Sequence, residues 1–178
     1  MIAASRFEGG SWVRVGFLLT YTAFAYGCIV VGAAALRLPH PWRRPGIEAP
    51  TGHLDAPVSR WLRWVAAASA VASIAALALP TIRFPTETLS GFRGLDALSV
   101  IIAVALAFVV FAGVSSPFAR LRLSAASCLA GVLGGNLVIQ SFTTRGTTVE
   151  YGLWWATGLA LLACVAALGV RGRPEERR

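Results

Sequence analysis

The stretch YGLWWATGLALLACVAALGV, residues 151–170, decides the fold class of this chain. It contains no Lys, Arg, Asp, Glu or His. Its length matches the roughly 20 residues that an α-helix needs to cross about 30 Å of hydrocarbon. One ionised side chain at its centre would cost about 2.5–3.5 kcal/mol on an insertion scale. We therefore interpret residues 151–170 as a transmembrane helix.

Four further stretches share this length and this lack of charge. We predict transmembrane helices there as well, at residues 15–36, 64–82, 97–114 and 123–142. None of the stretches alternates polar and apolar residues as barrel strands do, and helices satisfy every backbone amide internally. The predicted fold is an all-α integral membrane protein, with about five transmembrane helices bundled into a single polytopic domain, residues 1–178.

The composition agrees with a membrane protein. The chain is 56% hydrophobic and 13% charged, whereas soluble domains are roughly 25% charged. The net charge of +8 comes from arginines at the ends of apolar runs, where they contact anionic lipid headgroups. No basic stripe with interleaved aromatic residues lies outside these flanks, so we expect no nucleic-acid binding.

The distribution of arginine predicts the orientation. Eleven of the 16 basic residues, all of them arginine, lie in residues 37–63, 120–122 and 171–178. The other five are Arg6, Arg14, Arg83, Arg93 and Arg145. The positive-inside rule then places the N-terminus outside and the C-terminus in the cytoplasm. Because the chain is rich in Ala, Gly, Arg and Pro, we expect the cytoplasmic (inner) membrane of a bacterium.

The segments outside the predicted helices are short. Residues 37–60 form a cytoplasmic loop rich in Pro and Arg, and residues 171–178 form a charged cytoplasmic tail. Residues 1–35 offer an alternative, a cleaved signal peptide that ends at Ala33-Ala34-Ala35. Their apolar stretch of about 21 residues exceeds the 7–15 typical of such a peptide, so we favour a retained helix.

The most polar predicted helix is the fourth. Asn136 and Gln140 are four residues apart and share one face, and Gly131 and Gly135 form a G-x-x-x-G pattern. One interpretation is a polar notch that binds a ligand headgroup or a partner helix. The other, which we favour, is ordinary packing, because small residues allow helices to approach closely.

Two other sets of residues predict contacts of the helices. A stripe of small residues four apart on the second helix predicts a contact within this chain or with another protein: Ala68, Ala72 and Ala76. A second set predicts lipid-interface contacts, with indole rings at headgroup depth and guanidinium groups at phosphates: Trp61, Trp64, Arg60 and Arg63. Tyr21 and Thr20 make part of the first helix polar, which we interpret as interfacial anchoring.

Catalytic and metal-binding residues are sparse. Asp96 and Glu150 precede predicted helices and are expected to cap them, although two carboxylates can also act as an acid and base pair. His40 and His53 stand alone in the proline-rich loop, and the cysteines lie in apolar runs. We expect no catalytic residue, no metal and no cofactor.

These observations favour a non-enzymatic accessory or structural subunit that packs against a larger membrane complex. One alternative is a small membrane transport or ligand-binding component, with Asn136, Gln140 and the tyrosines of the first helix at its site. A second alternative is a membrane enzyme that uses Asp96 and Glu150 on a lipid-linked substrate. The expected partners are the bilayer and other membrane subunits.

Overall fold

The computed structural model describes residues 4–37, 57–114, 119–143 and 148–169. Most of the predicted loop 37–60, both loop histidines and the predicted tail 171–178 lie outside these residues. The described part is mostly helical, which confirms the helical class. Its helices are α1 (Ala4–Arg37), α2 (Pro57–Ala76), α3 (Gly91–Gly94), α4 (Ala97–Ala112), α5 (Ala119–Thr143) and α6 (Tyr151–Gly169).

Three of the described helices are long and apolar enough to cross a membrane. The qualifying segments are Ser11–Leu36 in α1, Arg122–Phe142 in α5 and Tyr151–Gly169 in α6. α4 is apolar but has 16 residues, or about 24 Å at 1.5 Å per residue. These lengths and compositions indicate a membrane protein.

The side chains are arranged as lipid contact requires. The bundle interior is rich in alanine, including Ala67, Ala103, Ala125 and Ala160, which are fully buried. Large apolar side chains point outward instead, among them Phe108, which is 62% exposed. Monomeric soluble proteins rarely expose contiguous apolar surface on this scale, whereas lipid tails cover it without cost.

A small antiparallel sheet, absent from our sequence prediction, joins the helices at one end of the bundle. Its strands are β1 (Pro80–Arg83), β2 (Thr88–Ser90) and β3 (Thr148–Val149), in the order β2-β1-β3. Ile82 at its centre pairs with Leu89 on one side and Val149 on the other. The sheet therefore gathers the end of α2, the start of α4, and the connection between α5 and α6. We call this the sheet end.

The predicted second helix, residues 64–82, is wrong in its last six residues. α2 ends at Ala76, and β1 begins at Pro80. Proline has no N–H to donate to the carbonyl four residues earlier, and its ring clashes with that carbonyl, which here belongs to Ala76. A tighter turn ends the helix, with the N–H of Leu79 donating to the Ala76 carbonyl at 3.1 Å.

The predicted start of the first helix also differs from the structure. α1 begins at Ala4, eleven residues before position 15. No proline occurs in residues 4–14 to stop the helix, and Arg14 is exposed to the surroundings. A charged residue such as Arg14 ends the apolar segment of α1, but the helix itself continues past it.

α1 runs antiparallel to α5, and glycines allow the two backbones to meet. A Cβ built at Gly135 would lie 2.9 Å from the carbonyl oxygen of Gly16 and would collide with the hydroxyl of Thr20. One turn away, a Cβ at Gly131 would lie 2.7 Å from the Cβ of Ala23. The predicted G-x-x-x-G pattern thus lies in a helix–helix contact within this chain.

The core of the bundle is α5, which contacts α1, α4 and α6. The span in α5 is 56% buried within the protein, whereas the span in α1 is 22% buried. α1 is therefore a peripheral helix that rests against α5 and α4. On the other side of the bundle, α2 and α6 pack through small side chains such as Ala70 and Ala163, both fully buried.

We expect Gly135→Ala to lower the thermal unfolding temperature of the protein in detergent. The added methyl group meets Thr20 and the backbone of α1, and overpacking of this kind typically costs about 1–3 kcal/mol. Gly134→Ala is the matched control, because a Cβ there would have its nearest neighbour 3.8 Å away. An equal loss of stability in both variants, measured by tryptophan fluorescence during heating, would contradict the close contact.

Candidate ligand-binding pocket

A cavity of about 370 Å³ lies between α1, α4 and α5, near the sheet end of the bundle. This volume is within the range of about 300–1,000 Å³ usual for small-molecule sites. Side chains from all three helices line it: Phe17, Thr20, Tyr21, Phe24, Asp96, Leu98, Ser99, Asn136, Ile139 and Gln140. Its walls therefore combine aromatic rings with a few polar groups, as small-molecule sites commonly do.

Two of the predicted site residues, Asn136 and Gln140, line this pocket together from α5. Asn136 is 6% exposed, and its Nδ2 donates to the carbonyl of Val132 at 2.8 Å. That bond within the helix fixes the direction of the amide. The four-residue spacing read from the sequence has thus placed both amides on the same wall.

Thr20 brings a buried hydroxyl to the pocket from α1. The residue is 7% exposed, and its Oγ1 makes no hydrogen bond with any described residue. A buried hydroxyl without a partner typically costs about 1–3 kcal/mol. Threonine in membrane helices often avoids this cost by bonding to its own helix. Here the hydroxyl oxygen is enclosed where α1 meets α5, against Gly135.

The charged group of the pocket is the carboxylate of Asp96. This exposed residue caps α4, and its Oδ2 accepts a hydrogen bond from the N–H of Ser99 at 3.3 Å. The cap predicted from the sequence is confirmed. Because the cap holds the carboxylate at the first turn of α4, Asp96 also contributes to the wall of the pocket.

Aromatic rings from α1 also line the pocket. Phe17, Tyr21 and Phe24 are three or four residues apart, so they share one face of the helix. The rings of Phe17 and Tyr21 are stacked, with centroids 6.0 Å apart and planes at 14°. Stacking restricts both rings and gives this wall a defined shape.

The structure exposes three of the four residues that were predicted to contact the lipid interface and buries the fourth. Trp61 and Trp64 are exposed, at 69% and 52%, and Arg60 is exposed beside them. Arg63 is only 9% exposed and points into the bundle, at the end opposite the sheet. Arg122 of α5 is close enough for the two positive charges to repel each other.

Arg122 is a buried charge that sequence reasoning assigned to the lipid surface. It is 3% exposed, and a Cβ at Gly113 would collide with its aliphatic chain. Its Nη1 and Nη2 make no hydrogen bond within the described ranges. A glycine at the end of α4 leaves the space for this arginine, a relation between two helices that linear sequence does not reveal.

The alanine stripe on α2 lies at the edge of the helix contact. Ala76 is buried and Ala72 half-buried, but Ala68 is exposed. The face of α2 that packs inside the bundle is displaced from the stripe and includes Ala66, Ala67, Ala70 and Ser73. The stripe therefore turns partly away from the rest of the chain.

The two carboxylates of the alternative acid and base pair have different partners. Glu150 forms an ion pair with Arg83, with 3.7 Å between Oε1 and Nη1, and it does not line the pocket with Asp96. Among the residues that the structure describes, no three His, Cys, Asp or Glu side chains cluster as metal ligands do. Cys164 contacts a hydroxyl: its Sγ lies 3.3 Å from the Oγ of Ser127.

Three of the ten residues that line the pocket were predicted as part of a possible ligand site, namely Asn136, Gln140 and Tyr21. Asp96 was assigned to a cap or to an acid and base pair, Thr20 to the membrane interface, and Phe17 and Ser99 to no site. The aromatic spacing on the first helix was the one available signal. The meeting of α1, α4 and α5 is a tertiary arrangement that no local pattern encodes.

Comparisons with models of known protein families, with curated proteins and with solved structures find no match to this chain.

Proposed function

We propose that the chain crosses the bilayer about five times, with the N-terminus outside and the C-terminus in the cytoplasm of a bacterium. The long helices alternate in direction, and the sheet collects the connection between α2 and α4 with that between α5 and α6. Aromatic residues lie near both ends of the bundle, Trp154 and Trp155 at the sheet end and Trp61 at the other. Such belts mark the two headgroup layers.

The orientation predicts how two surface positions react with a membrane-impermeant maleimide in intact cells. In a variant without the native cysteines, Thr86→Cys near β2 should be labelled from outside. Arg60→Cys at the opposite end should be labelled only after the membrane is permeabilised. Both side chains are exposed in the structure. Labelling of both positions in intact cells would contradict the proposed topology.

We further propose that the protein is a non-enzymatic membrane component that binds a small amphipathic molecule in the pocket between α1, α4 and α5. One observation carries this proposal: three helices bring amides, hydroxyls, a carboxylate and aromatic rings to a single cavity of about 370 Å³. Packing alone does not account for polar groups from three helices that converge on one open space. A transport or ligand-binding component requires such a cavity.

Replacing both Asn136 and Gln140 with leucine should abolish retention of the ligand. Leucine is close in size to both residues but offers no hydrogen bond, so the wall stays filled while its polar groups are lost. The measurement is mass spectrometry of small molecules extracted from protein purified in mild detergent. Wild-type protein should yield a stoichiometric compound that the double variant lacks.

Ser141→Leu is the control for this measurement. Ser141 lies on the same helix and bonds to the carbonyl of Leu137 at 2.7 Å, much as Asn136 bonds to Val132. It does not line the pocket. The variant should retain the compound, and equal retention by the Asn136→Leu, Gln140→Leu double variant would remove the proposal.

A second candidate function is that of an accessory subunit in a larger membrane complex. The outward residue of the alanine stripe favours it. Ala68 is exposed on α2, as is Ala75 outside the stripe, and small residues on an outer face allow another helix to approach closely. The exposed surface around them is apolar, as a contact within lipid requires.

Gentle detergent extraction should then recover the chain with a larger membrane protein. Ala68→Leu should weaken this association, because the larger side chain holds a second helix away. Val165→Leu on the exposed side of α6 is the control and should leave the association intact. Recovery of wild-type protein as a partner-free monomer in several mild detergents would exclude this function.

A further inference from the structure

We infer that the pocket selects an organic cation, a small molecule with an ammonium group and a short apolar part. This inference rests on the proposed ligand-binding function and specifies the chemical class of the ligand. It follows from two features of the pocket: the sign of its charge and the nature of its walls.

The charge of the pocket is negative. Asp96 is the one ionisable carboxylate among the residues that line it, and none of the lining residues is basic. Arg14, on the same turn of α1 as Phe17, belongs to a different groove with Leu18 and Thr22. The chain as a whole carries +8, and the exposed Arg93 lies three residues before Asp96, but no arginine lines the pocket. The one formal charge on its wall is therefore negative, which favours a cation.

The walls suit the rest of such a molecule. An ammonium group is attracted to the face of an aromatic ring within about 6 Å of its centre, and Phe17, Tyr21 and Phe24 present three rings from one helix face. Leu98 and Ile139 provide apolar contact for a carbon chain. Aromatic rings are the usual elements of ammonium recognition, and the carboxylate adds the opposite charge.

A matched pair of ligands tests the inference. The probes are choline and its uncharged carbon isostere, in which a tert-butyl group replaces trimethylammonium. They have the same shape and differ in charge. We expect wild-type protein in detergent, measured by isothermal titration calorimetry, to bind choline at least about tenfold more tightly, a difference of 1.4 kcal/mol.

Asp96→Asn should remove this preference while leaving the isostere unaffected. The asparagine side chain can still accept the hydrogen bond from Ser99, so α4 keeps its cap. Glu87→Gln is the control, because it removes an exposed carboxylate from the same end of the protein outside the pocket. It should keep the full preference. Tyr21→Leu, which leaves the carboxylate in place, should reduce the preference by removing a ring.

The outcomes separate the inference from the function on which it rests. If both probes bind equally and Asp96→Asn changes neither, the pocket binds ligands but does not select cations, and the inference is wrong. If neither probe binds, the cation inference also fails. The proposed function would still stand if wild-type protein retained a compound that the Asn136→Leu, Gln140→Leu double variant lost.

Discussion

Close approach of helix backbones is the interaction on which this structure depends. In a bilayer, apolar side chains gain nothing by leaving lipid for one another, so helices associate through van der Waals contact and a few hydrogen bonds. Both require short distances. Glycine and alanine supply these distances here, at Gly16 and Gly135 between α1 and α5, and through the alanines between α2 and α6. The large side chains are left to face lipid.

The pocket is a consequence of the same packing. α1 and α5 touch at Gly16 and Gly135, both helices also contact α4, and the pocket lies among the three. The space between them receives the polar groups of each helix, including Asn136 and the capping carboxylate of Asp96. These polar groups thus converge beside the close contact of α1 with α5.

The helices could be predicted from the sequence because hydrophobic length is a local property. Residues 97–114, 123–142 and 151–170 correspond closely to α4, α5 and α6. The end of α2 was mispredicted because Pro80 is itself apolar enough to continue a hydrophobic run while it stops a helix. The strands, at two to four residues each, are too short to show alternation.

The site was predictable only in part, for a different reason. Asn136 and Gln140 could be identified because a polar amide inside an apolar run is conspicuous. Asp96 and Thr20 could not, since each has a satisfactory local explanation, as a cap and as an interfacial residue. Arg63 shows the same limit in reverse, because its position beside Trp64 indicated a lipid contact while the bundle buries it.

The sheet joins four of the long helices and leaves one out. The segments that follow α2, precede α4, and connect α5 to α6 share backbone hydrogen bonds, so these helices are fixed in register at one end. α1 belongs to none of the strands and rests on α5 and α4 by packing. The aromatic wall of the pocket therefore stands on the one long described helix without a strand adjoining it, so the packing of α1 on α5 and α4 alone sets the width of the cavity.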